Sequence, residues 1–390
     1  MLRAGILVFA LIFTSTLGSQ NRYKRGWGDP LKDHGSPNYT CDPKVMAPSK
    51  TTPTSVHSVR PADIKLIMAL GDSLTAANGA GAIDPLEILL QYRGLAFLAG
   101  GDKGLDEHVS IPNILAKYNP NIFGQSHGIC AADVLNCAYL NIAQPGAKAE
   151  DLPGQATILV QRFTDNDYPN VDKDNDWKLL SIFIGGNDIC NYCRDPTTMN
   201  ATEFAEHIAD AVKIIHDNIP RVLVSLTTML HLEMIKQIDK RDFMCSEFHL
   251  LGECKCDAWQ NFTTADIADM CVKYEQAEVA LQDGRFDDKD DFTLVNQVFF
   301  NNATEPPRLA NGTVNLDFFA PDCFHFSQLG HAIVSTYVWN NMLEPVGSKN
   351  TQANLSVPTT LNCPDPSCPF IRTTKNSQNC AQYLTPSILD

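Results

Sequence analysis

The chain has 390 residues, of which 44% are hydrophobic and 8% aromatic, and its formal net charge is −15 at pH 7. Its length fits one large α/β domain with insertions, and its apolar content excludes a chain that is disordered throughout. The negative charge repels nucleic acid and strongly anionic membranes, so we exclude a nucleic-acid-binding protein that uses a basic surface.

Residues 1–18 have the features of a cleavable signal peptide: a basic Arg3, an apolar run over Ile6–Phe13, and small residues at Thr16 and Gly18. No later segment offers about 18 uninterrupted apolar residues, the length that a transmembrane helix needs. The final residues, TPSILD, lack the hydrophobic tail that a lipid anchor requires. We therefore predict a secreted, extracellular protein without a transmembrane anchor.

The thirteen cysteines and six glycosylation sequons are typical of an oxidising, extracellular compartment. Cys190-x-x-Cys193 and Cys254-Lys-Cys256 suggest metal ligands, but neither forms a well-spaced tetrad with histidines, so disulfides are the better interpretation. The odd number leaves at least one thiol unpaired, and the pairing of the others stays open. We predict no metal site and no cofactor. The sequons begin at Asn38, Asn200, Asn261, Asn302, Asn311 and Asn354.

After the signal peptide, residues 19–60 are rich in Pro, Ser, Thr and Asn and predict an extended N-terminal arm. Residues 61–346 alternate short apolar runs with longer helical patterns, and this alternation predicts one α/β domain with a parallel sheet. Residues 347–390 return to the composition of the arm, contain three cysteines, and predict an irregular C-terminal tail.

Five apolar runs in this domain predict a five-stranded parallel sheet that helices cover on both faces, a three-layer α/β/α sandwich. Ligands gather at the carboxyl ends of such strands, so the loops after Leu70, Ile142, Ile184 and Phe299 are candidates for a site. The predicted strands are Lys65–Leu70, Ala138–Ile142, Leu179–Ile184, Arg221–Thr227 and Leu294–Phe299, and the predicted helices are Glu203–Asn218, Asp266–Leu281 and Ser327–Met342.

The first of these loops carries Gly71, Asp72 and Ser73. Gly71 permits a tight turn, and we predict that a helix begins near Ser73 or Leu74. Asp72 and Ser73 are both good N-cap residues, so a capping role by itself explains them. A role for Ser73 as a nucleophile requires an adjacent base that removes the hydroxyl proton and a third group that orients the base.

The loop after the last strand offers such a pair. Asp322 precedes His325 by three residues, so one helical turn brings the carboxylate and the imidazole within hydrogen-bonding reach. The other nitrogen of His325 is then available to Ser73, since the fold returns this loop to the same edge of the sheet. His331, further along the chain, is interpreted as a surface or packing histidine.

Acyl transfer also needs hydrogen-bond donors for the negative charge that develops on the carbonyl oxygen of the substrate. Gly146 has no side chain and can bring its backbone N–H close to a substrate, and Asn187 offers a side-chain amide at a strand end. Each residue also has an ordinary structural explanation, as a turn glycine and as an Asx-turn residue respectively.

Two further segments are assigned no catalytic role. Gly124-Gln-Ser126-His-Gly128 matches G-x-S-x-G, but a turn at Tyr118–Asn121 leaves no room for the strand that must precede a nucleophile elbow. The apolar residues over Leu86–Leu98 either line an acyl groove or form a buried amphipathic helix, and we favour the helix.

Four short motifs resemble, in their order and loop placement, the blocks of the GDSL or SGNH hydrolase superfamily: Gly71-Asp72-Ser73-Leu74, Gly146, Gly186-Asn187-Asp188 and Asp322-x-x-His325. Within that superfamily the chain resembles the membrane-associated phospholipase B type of animals. This second resemblance covers about residues 60–377 and rests on GDSLTAANGAGA, YRGLAFLAGGD, IPNILAKYNP, QPGAKAEDLP, IGGNDICNYC, APDCFHFSQLGHA and PFIRTTKNS.

The resemblance implies an SGNH-type, flavodoxin-like fold in which Ser73 is the nucleophile, His325 the general base and later acid, and Asp322 the residue that orients His325. It implies an oxyanion hole formed by the backbone N–H groups of Ser73 and Gly146 and by the side chain of Asn187. The implied substrates are glycerophospholipids and lysophospholipids at a micelle or membrane surface, deacylated through an acyl-enzyme without a metal. No obligate protein partner is evident.

Some family members carry tandem repeats and a C-terminal membrane anchor, whereas this chain has one unit and no evident anchor, which favours release from the cell. Two alternative functions stay open. The same machinery can act on another ester, such as an acetylated carbohydrate, or the protein is a catalytically silent, secreted lipid-binding protein. The intact motifs argue against the silent protein.

Overall fold

The computed structural model describes residues 30–239, 245–246, 249, 254–256, 262–357 and 359–385, so the predicted signal peptide lies outside the described residues. At the centre of the fold is a parallel sheet of four strands in the order β1-β2-β3-β4. The strands are β1 (Ile64–Gly71), β2 (Trp177–Phe183), β3 (Val222–Thr227) and β4 (Phe292–Gln297).

The strands are continuous apolar runs because both faces of the sheet are covered, and almost every strand residue is buried. Their register places Leu70, Ile182, Leu226 and Asn296 side by side. The carboxyl ends of all four strands are therefore level. The loops that follow them meet at one edge of the sheet, where the sequence places the candidate site.

The predicted fifth strand, Ala138–Ile142, is wrong within the described chain. Ala138 ends a short helix, Leu135–Ala138, and Tyr139 has a φ of 48°, which a strand does not allow. Asn141 makes only an isolated parallel bridge to Ala69. At this edge, β1 is therefore bridged by an irregular segment and not by a strand. The apolar composition of that segment is nevertheless typical of a strand.

The helices of the described residues alternate with the strands along the chain. Within the part of the chain that the structure covers, none of them is both long and apolar enough to cross a lipid bilayer. They are α1 (Pro43–Met46), α2 (Ile111–Tyr118), α3 (Leu135–Ala138), α4 (Leu152–Asp165), α5 (Gly186–Asn191), α6 (Ala201–Asn218), α7 (Ile235–Asp239), α8 (Thr264–Ala280), α9 (Gln328–Leu343) and α10 (Thr374–Gln378).

The three predicted helices correspond to α6, α8 and α9, with bounds that differ by one or two residues. In α6 the Asn200 side chain accepts the N–H groups of Thr202 and Glu203 and so caps the first turn. The apolar residues spaced by three and four along α6 are all buried: Phe204, Ile208, Val212 and Ile215. Helix α9 is different, because nearly all its residues are buried whatever their polarity.

The predicted amphipathic helix over Leu86–Leu98 is also wrong. Two short 3-10 helices, Pro85–Leu89 and Arg93–Leu95, occupy this segment. Leu86 and Leu89 are 68% and 82% exposed, although Ile88 between them is buried, so the first half of the segment presents leucines to solvent. The spacing of apolar residues alone does not distinguish a buried helix from a surface segment of short 3-10 turns.

Six disulfides join twelve of the thirteen cysteines, which confirms the oxidising chemistry predicted from the sequence. Cys271 is the remaining thiol and is buried. The two close cysteine pairs bind each other, as Cys190–Cys254 and Cys193–Cys256, and hold no metal tetrad. The other bridges are Cys41–Cys363, which ties the N-terminal arm to the C-terminal tail, Cys130–Cys137, Cys245–Cys323 and Cys368–Cys380.

Candidate active site

Ser73 lies in a tight turn at the carboxyl end of β1. Gly71 has a φ of 154°, and a Cβ there would lie 2.3 Å from the carbonyl oxygen of Phe183, so only glycine fits. The Asp72 carboxylate accepts the Leu74 N–H at 2.9 Å and stabilises the turn. The predicted helix start near Ser73 is wrong, because the segment continues as consecutive turns. The turn leaves Ser73 at the edge of the sheet with 7% of its surface exposed.

The structure brings Ser73, His325 and Asp322 into one hydrogen-bonded chain. His325 Nε2 lies 2.8 Å from Ser73 Oγ, and His325 Nδ1 lies 2.5 Å from Asp322 Oδ2. Asp322 Oδ1 accepts the backbone N–H groups of Phe324 and His325, each at 3.1 Å. The carboxylate is fully buried, and both its oxygens have partners. The imidazole is therefore fixed in orientation, with one nitrogen directed at the Ser73 hydroxyl.

The loop that carries His325 is held by a covalent bond as well as by hydrogen bonds. Cys323 lies between Asp322 and His325, has a φ of 64°, and forms a disulfide with Cys245. The Ala320 N–H donates to the carbonyl oxygen of His325 at 2.7 Å. The sequence did not indicate this tether, because two cysteines with a sequence separation of 78 give no local signal of their pairing.

The charge of Asp322 is set by two opposing effects. Burial alone would raise the pKa of its carboxyl group, but the positive charge that His325 carries when protonated and their hydrogen bond outweigh burial and lower that pKa. Asp322 thus stays ionised at neutral pH. Because the folded-state pKa is depressed, the stabilisation from this group is present above the ordinary aspartate pKa and is lost as the pH falls through the folded value.

The predicted oxyanion donors are only partly brought together. Asn187, which follows β2, lines the same cleft as Ser73, and its Nδ2 donates one hydrogen to the carbonyl oxygen of Ala147 at 2.9 Å. A side-chain amide has a second hydrogen to donate. Gly146 directly precedes Ala147, is exposed, and has a φ of 79°, but it is not among the residues that line the cleft.

An apolar cleft of about 540 Å³, its open mouth included, begins at the Ser73 hydroxyl. Asp72, Ser73 and Asn187 form its polar end. The segment after β3 and the residues around the Asp322–His325 loop form its apolar walls. These walls consist of Leu230, Leu232, Met234, Ile235, Ile238, Phe318, Phe319, Phe324, Phe326 and Leu355.

Comparison with known proteins identifies the family. The family model of the GDSL-like lipase/acylhydrolases matches residues 67–338, a range that contains Ser73, Asp322 and His325. The chain belongs to this family. The membrane-associated phospholipase B1 of Homo sapiens is 39% identical over 337 residues, which are 85% of this chain and 23% of that protein. The protein of the same name from Mus musculus is 38% identical over 346 residues, 87% of this chain and 23% of that protein. The chain thus spans 23% of the length of these relatives.

Two buried carboxylates of the GDSL-like domain lie beside the site and were missed as functional candidates. Asp72 is 2% exposed and Asp188 is 4% exposed, and Asp188 accepts the Ala149 N–H. Burial raises the pKa of Asp72 to about 6. Burial, together with the nearby charge of Asp72, raises the pKa of Asp188 to about 7. Their positions directly beside Ser73 and Asn187 in the two motifs are the signal that could have identified them.

These raised pKa values predict how the stability of the domain depends on pH. The native state binds more protons than the unfolded state between about pH 4 and pH 7, so the contribution of Asp188 to stability falls as the pH rises through this window. We expect Asp188→Asn to lose less melting temperature between pH 5 and pH 8 than the wild type does, as measured by differential scanning calorimetry. Asp269→Asn, an exposed control, should follow the wild type. Parallel profiles for Asp188→Asn and the wild type would contradict the coupling.

One cluster behind the cleft has the composition of a metal site. The ligand atoms of His231, Glu233 and Cys271 lie within 4.8 Å of one another. However, His231 Nδ1 lies 2.7 Å from Glu233, and its Nε2 lies 3.2 Å from Glu275. Burial alone would lower the pKa of His231, but these carboxylates outweigh burial and raise it. Because both ring nitrogens of His231 already face carboxylates, the cluster is better explained as a buried polar network.

The GDSL-like domain gives the other candidate residues structural roles. Ser126 of the G-x-S-x-G match is fully buried, and its hydroxyl donates to the carbonyl oxygen of Ala138 at 2.8 Å. The neighbouring His127 places its Nδ1 3.1 Å from Asp102. His331 is also fully buried. It packs against the ring of Phe97, whose backbone N–H donates to His331 Nδ1 at 3.3 Å. The packing interpretation of His331 agrees with these contacts.

Proposed function

We propose that this chain is a secreted serine esterase that hydrolyses the acyl esters of glycerophospholipids and lysophospholipids. The observation that carries the proposal is the hydrogen-bonded chain from Asp322 through His325 to Ser73, which ends at an apolar cleft. The two relatives named as phospholipase B1 support phospholipids as the substrate class.

In the first step, His325 Nε2 takes the proton of the Ser73 hydroxyl as the oxygen attacks the ester carbonyl carbon. Asp322 keeps the other proton of the imidazole on Nδ1 and stabilises the imidazolium that forms. His325 then donates its Nε2 proton to the glycerol oxygen as the carbon–oxygen bond breaks. The alcohol product leaves, and the acyl chain stays on Ser73 as an ester.

In the second step, a water molecule replaces the alcohol. His325 takes a proton from this water, the resulting hydroxide attacks the acyl-enzyme carbonyl, and the proton passes to Ser73 Oγ as the fatty acid is released. The proton balance closes, because each half-reaction moves one proton through His325 and no cofactor or metal takes part in either.

The negative charge on the carbonyl oxygen needs donors that are already in place in both steps. We propose the backbone N–H groups of Ser73 and Gly146 and the second amide hydrogen of Asn187. The hydrogen bond from Asn187 to Ala147 supports this assignment, because it holds the amide beside the Gly146 segment. The Asn187 amide is thus positioned by the protein itself, before a substrate binds.

The apolar cleft is proposed as the site of the acyl chain. Its polar end lies at Ser73, and the aliphatic and aromatic side chains beyond it offer apolar surface to a hydrocarbon. An acetyl group would leave most of this surface in contact with water. The cleft therefore supports a longer acyl chain over the acetyl ester of a carbohydrate.

The domain organisation is part of the same proposal: a signal peptide over residues 1–18, an arm over 19–60, a hydrolase domain over 61–346 and a tail over 347–390. The six disulfides support export. A three-layer sandwich is supported by the bridge of Asn141 to Ala69, which lies on the edge of β1 away from β2. From β1 the chain first passes to the Asn141 edge and then crosses back to β2 on the opposite edge. Right-handed crossovers on the two sides of β1 put helices on opposite faces of the sheet.

The test of the proposal is release of fatty acid by the purified protein. We expect turnover of phosphatidylcholine liposomes and lysophosphatidylcholine micelles, and much slower turnover of acetylated carbohydrate. Faster turnover of the acetylated carbohydrate would show that the protein is a carbohydrate esterase and not a phospholipase. Binding of lipid without release of any fatty acid would identify the silent lipid-binding protein and end the proposal.

A further inference from the structure

A second cavity adjoins the reaction centre and differs in character from the apolar cleft. It measures about 890 Å³ with its open mouth included. One wall is formed by residues 80–83, which follow the Ser73 turn, and another by residues 327–329, which follow His325. Phe319 lines both the cleft and this cavity, so the two share one aromatic side chain.

The cavity contains an unused hydrogen-bond donor. The side chain of Gln328 is 4% exposed, lines the cavity, and its Nε2 has no hydrogen-bond partner among the described residues. Buried amide groups almost always have a partner, and an unpaired one is costly. Gln328 is also the first residue of α9, a helix of 16 residues, and the partial positive charge of a helix N-terminus favours an anion.

The cavity lining contains a cationic side chain, an anionic side chain and a histidine. Burial, followed by the charge of Lys32, lowers the pKa of His34 to about 4, so this imidazole is neutral at pH 7. Lys32 is then the cationic side chain among the described residues that line the cavity, and it is exposed. Asp317 contributes a carboxylate to the same lining. The cavity thus offers donors for an anion and one acceptor for a cation.

We propose that this cavity binds the zwitterionic headgroup of a phospholipid, with the phosphate against Lys32 and the Gln328 amide and the headgroup amine against Asp317. The inference rests on the proposed function. An ester carbonyl at Ser73 has its acyl chain in the cleft on one side of Phe319 and its glycerophosphate on the other side. The donors of the cavity match the phosphodiester that a neutral glyceride lacks.

The kinetic test compares lysophosphatidylcholine with a monoacylglycerol of the same acyl chain in the same detergent micelles. The measured quantity is the ratio of kcat/KM for the two substrates. Lys32→Ala and Gln328→Met should each lower this ratio by about tenfold. Asp317→Asn should lower the preference for lysophosphatidylcholine over lysophosphatidylglycerol. Lys117→Ala removes a lysine of α2 that pairs with Asp106 and should keep the wild-type ratio.

A binding measurement separates this inference from the proposed function. Isothermal titration calorimetry should detect binding of glycerophosphocholine to the Ser73→Ala protein. The double variant Ser73→Ala, Lys32→Ala should have a Kd for glycerophosphocholine at least fivefold higher. Inorganic phosphate that binds as tightly would overturn the headgroup assignment. If no phospholipid releases fatty acid, the proposed function fails, while glycerophosphocholine binding still decides the headgroup site. If phospholipids are hydrolysed but neither the ratio nor the binding responds to the cavity variants, the headgroup site alone is wrong.

Discussion

Ser73→Ala should lower kcat for fatty-acid release by at least about 10⁴-fold, because the oxygen that attacks the ester is removed. The fold should be retained. The Ser73 hydroxyl hydrogen-bonds to His325 Nε2, and alanine keeps the Cβ in the turn after Gly71. The measurement is release of fatty acid from phosphatidylcholine and lysophosphatidylcholine, with the melting temperature as the test of folding. Turnover by Ser73→Ala at the wild-type rate would remove Ser73 as the nucleophile.

Ser126→Ala is the matched control, since it removes the serine hydroxyl of the G-x-S-x-G match, whereas Ser73 lies in a Gly-Asp-Ser-Leu sequence. Its hydroxyl donates to the carbonyl oxygen of Ala138, so the variant should lose about 1 kcal/mol of stability and keep its activity. If Ser126→Ala were inactive while folded and Ser73→Ala active, the identification of the two serines would have to be exchanged.

Asp322→Asn should lower kcat by about 10⁴-fold with little change in stability. The asparagine keeps an oxygen for the backbone N–H groups of Phe324 and His325, so the loop retains its hydrogen bonds. Its amide nitrogen replaces Oδ2, however, and donates toward His325 Nδ1. The imidazole then carries its proton on Nε2 and donates to Ser73 Oγ, so Nε2 has no lone pair with which to accept the hydroxyl proton.

The control for this variant is Asp269→Asn, which removes an exposed carboxylate that pairs with Lys273 on α8. It should leave kcat and KM at wild-type values. In Asp322→Asn, KM should change little while kcat falls, because substrate binding does not use the Asp322 side chain. A kcat within tenfold of the wild type would show that Asp322 does not orient His325 during the reaction.

Much of the site could be predicted because its parts are local in the chain. Asp322 and His325 are three residues apart, and a single turn is enough to join them. The turn at Gly71 and the capping of α6 by Asn200 follow from one or two residues each. The predicted strand at Ala138–Ile142 is wrong because apolar composition does not reveal backbone conformation. A short helix ends at Ala138, and Tyr139 has a positive φ.

The amino-acid order alone specifies which chemical groups are present, where they lie along the chain, the long helices and the apolar strands. These features follow from the periodicity of apolar residues and from hydrogen bonds between residues that are close in the chain. The tertiary structure alone decided the contact of Ser73 with a histidine 252 residues away, the Cys245–Cys323 tether and the cavity beside Phe319. Contacts across such distances depend on the packing of the whole domain and on the entropy of closing long loops, which no local pattern records.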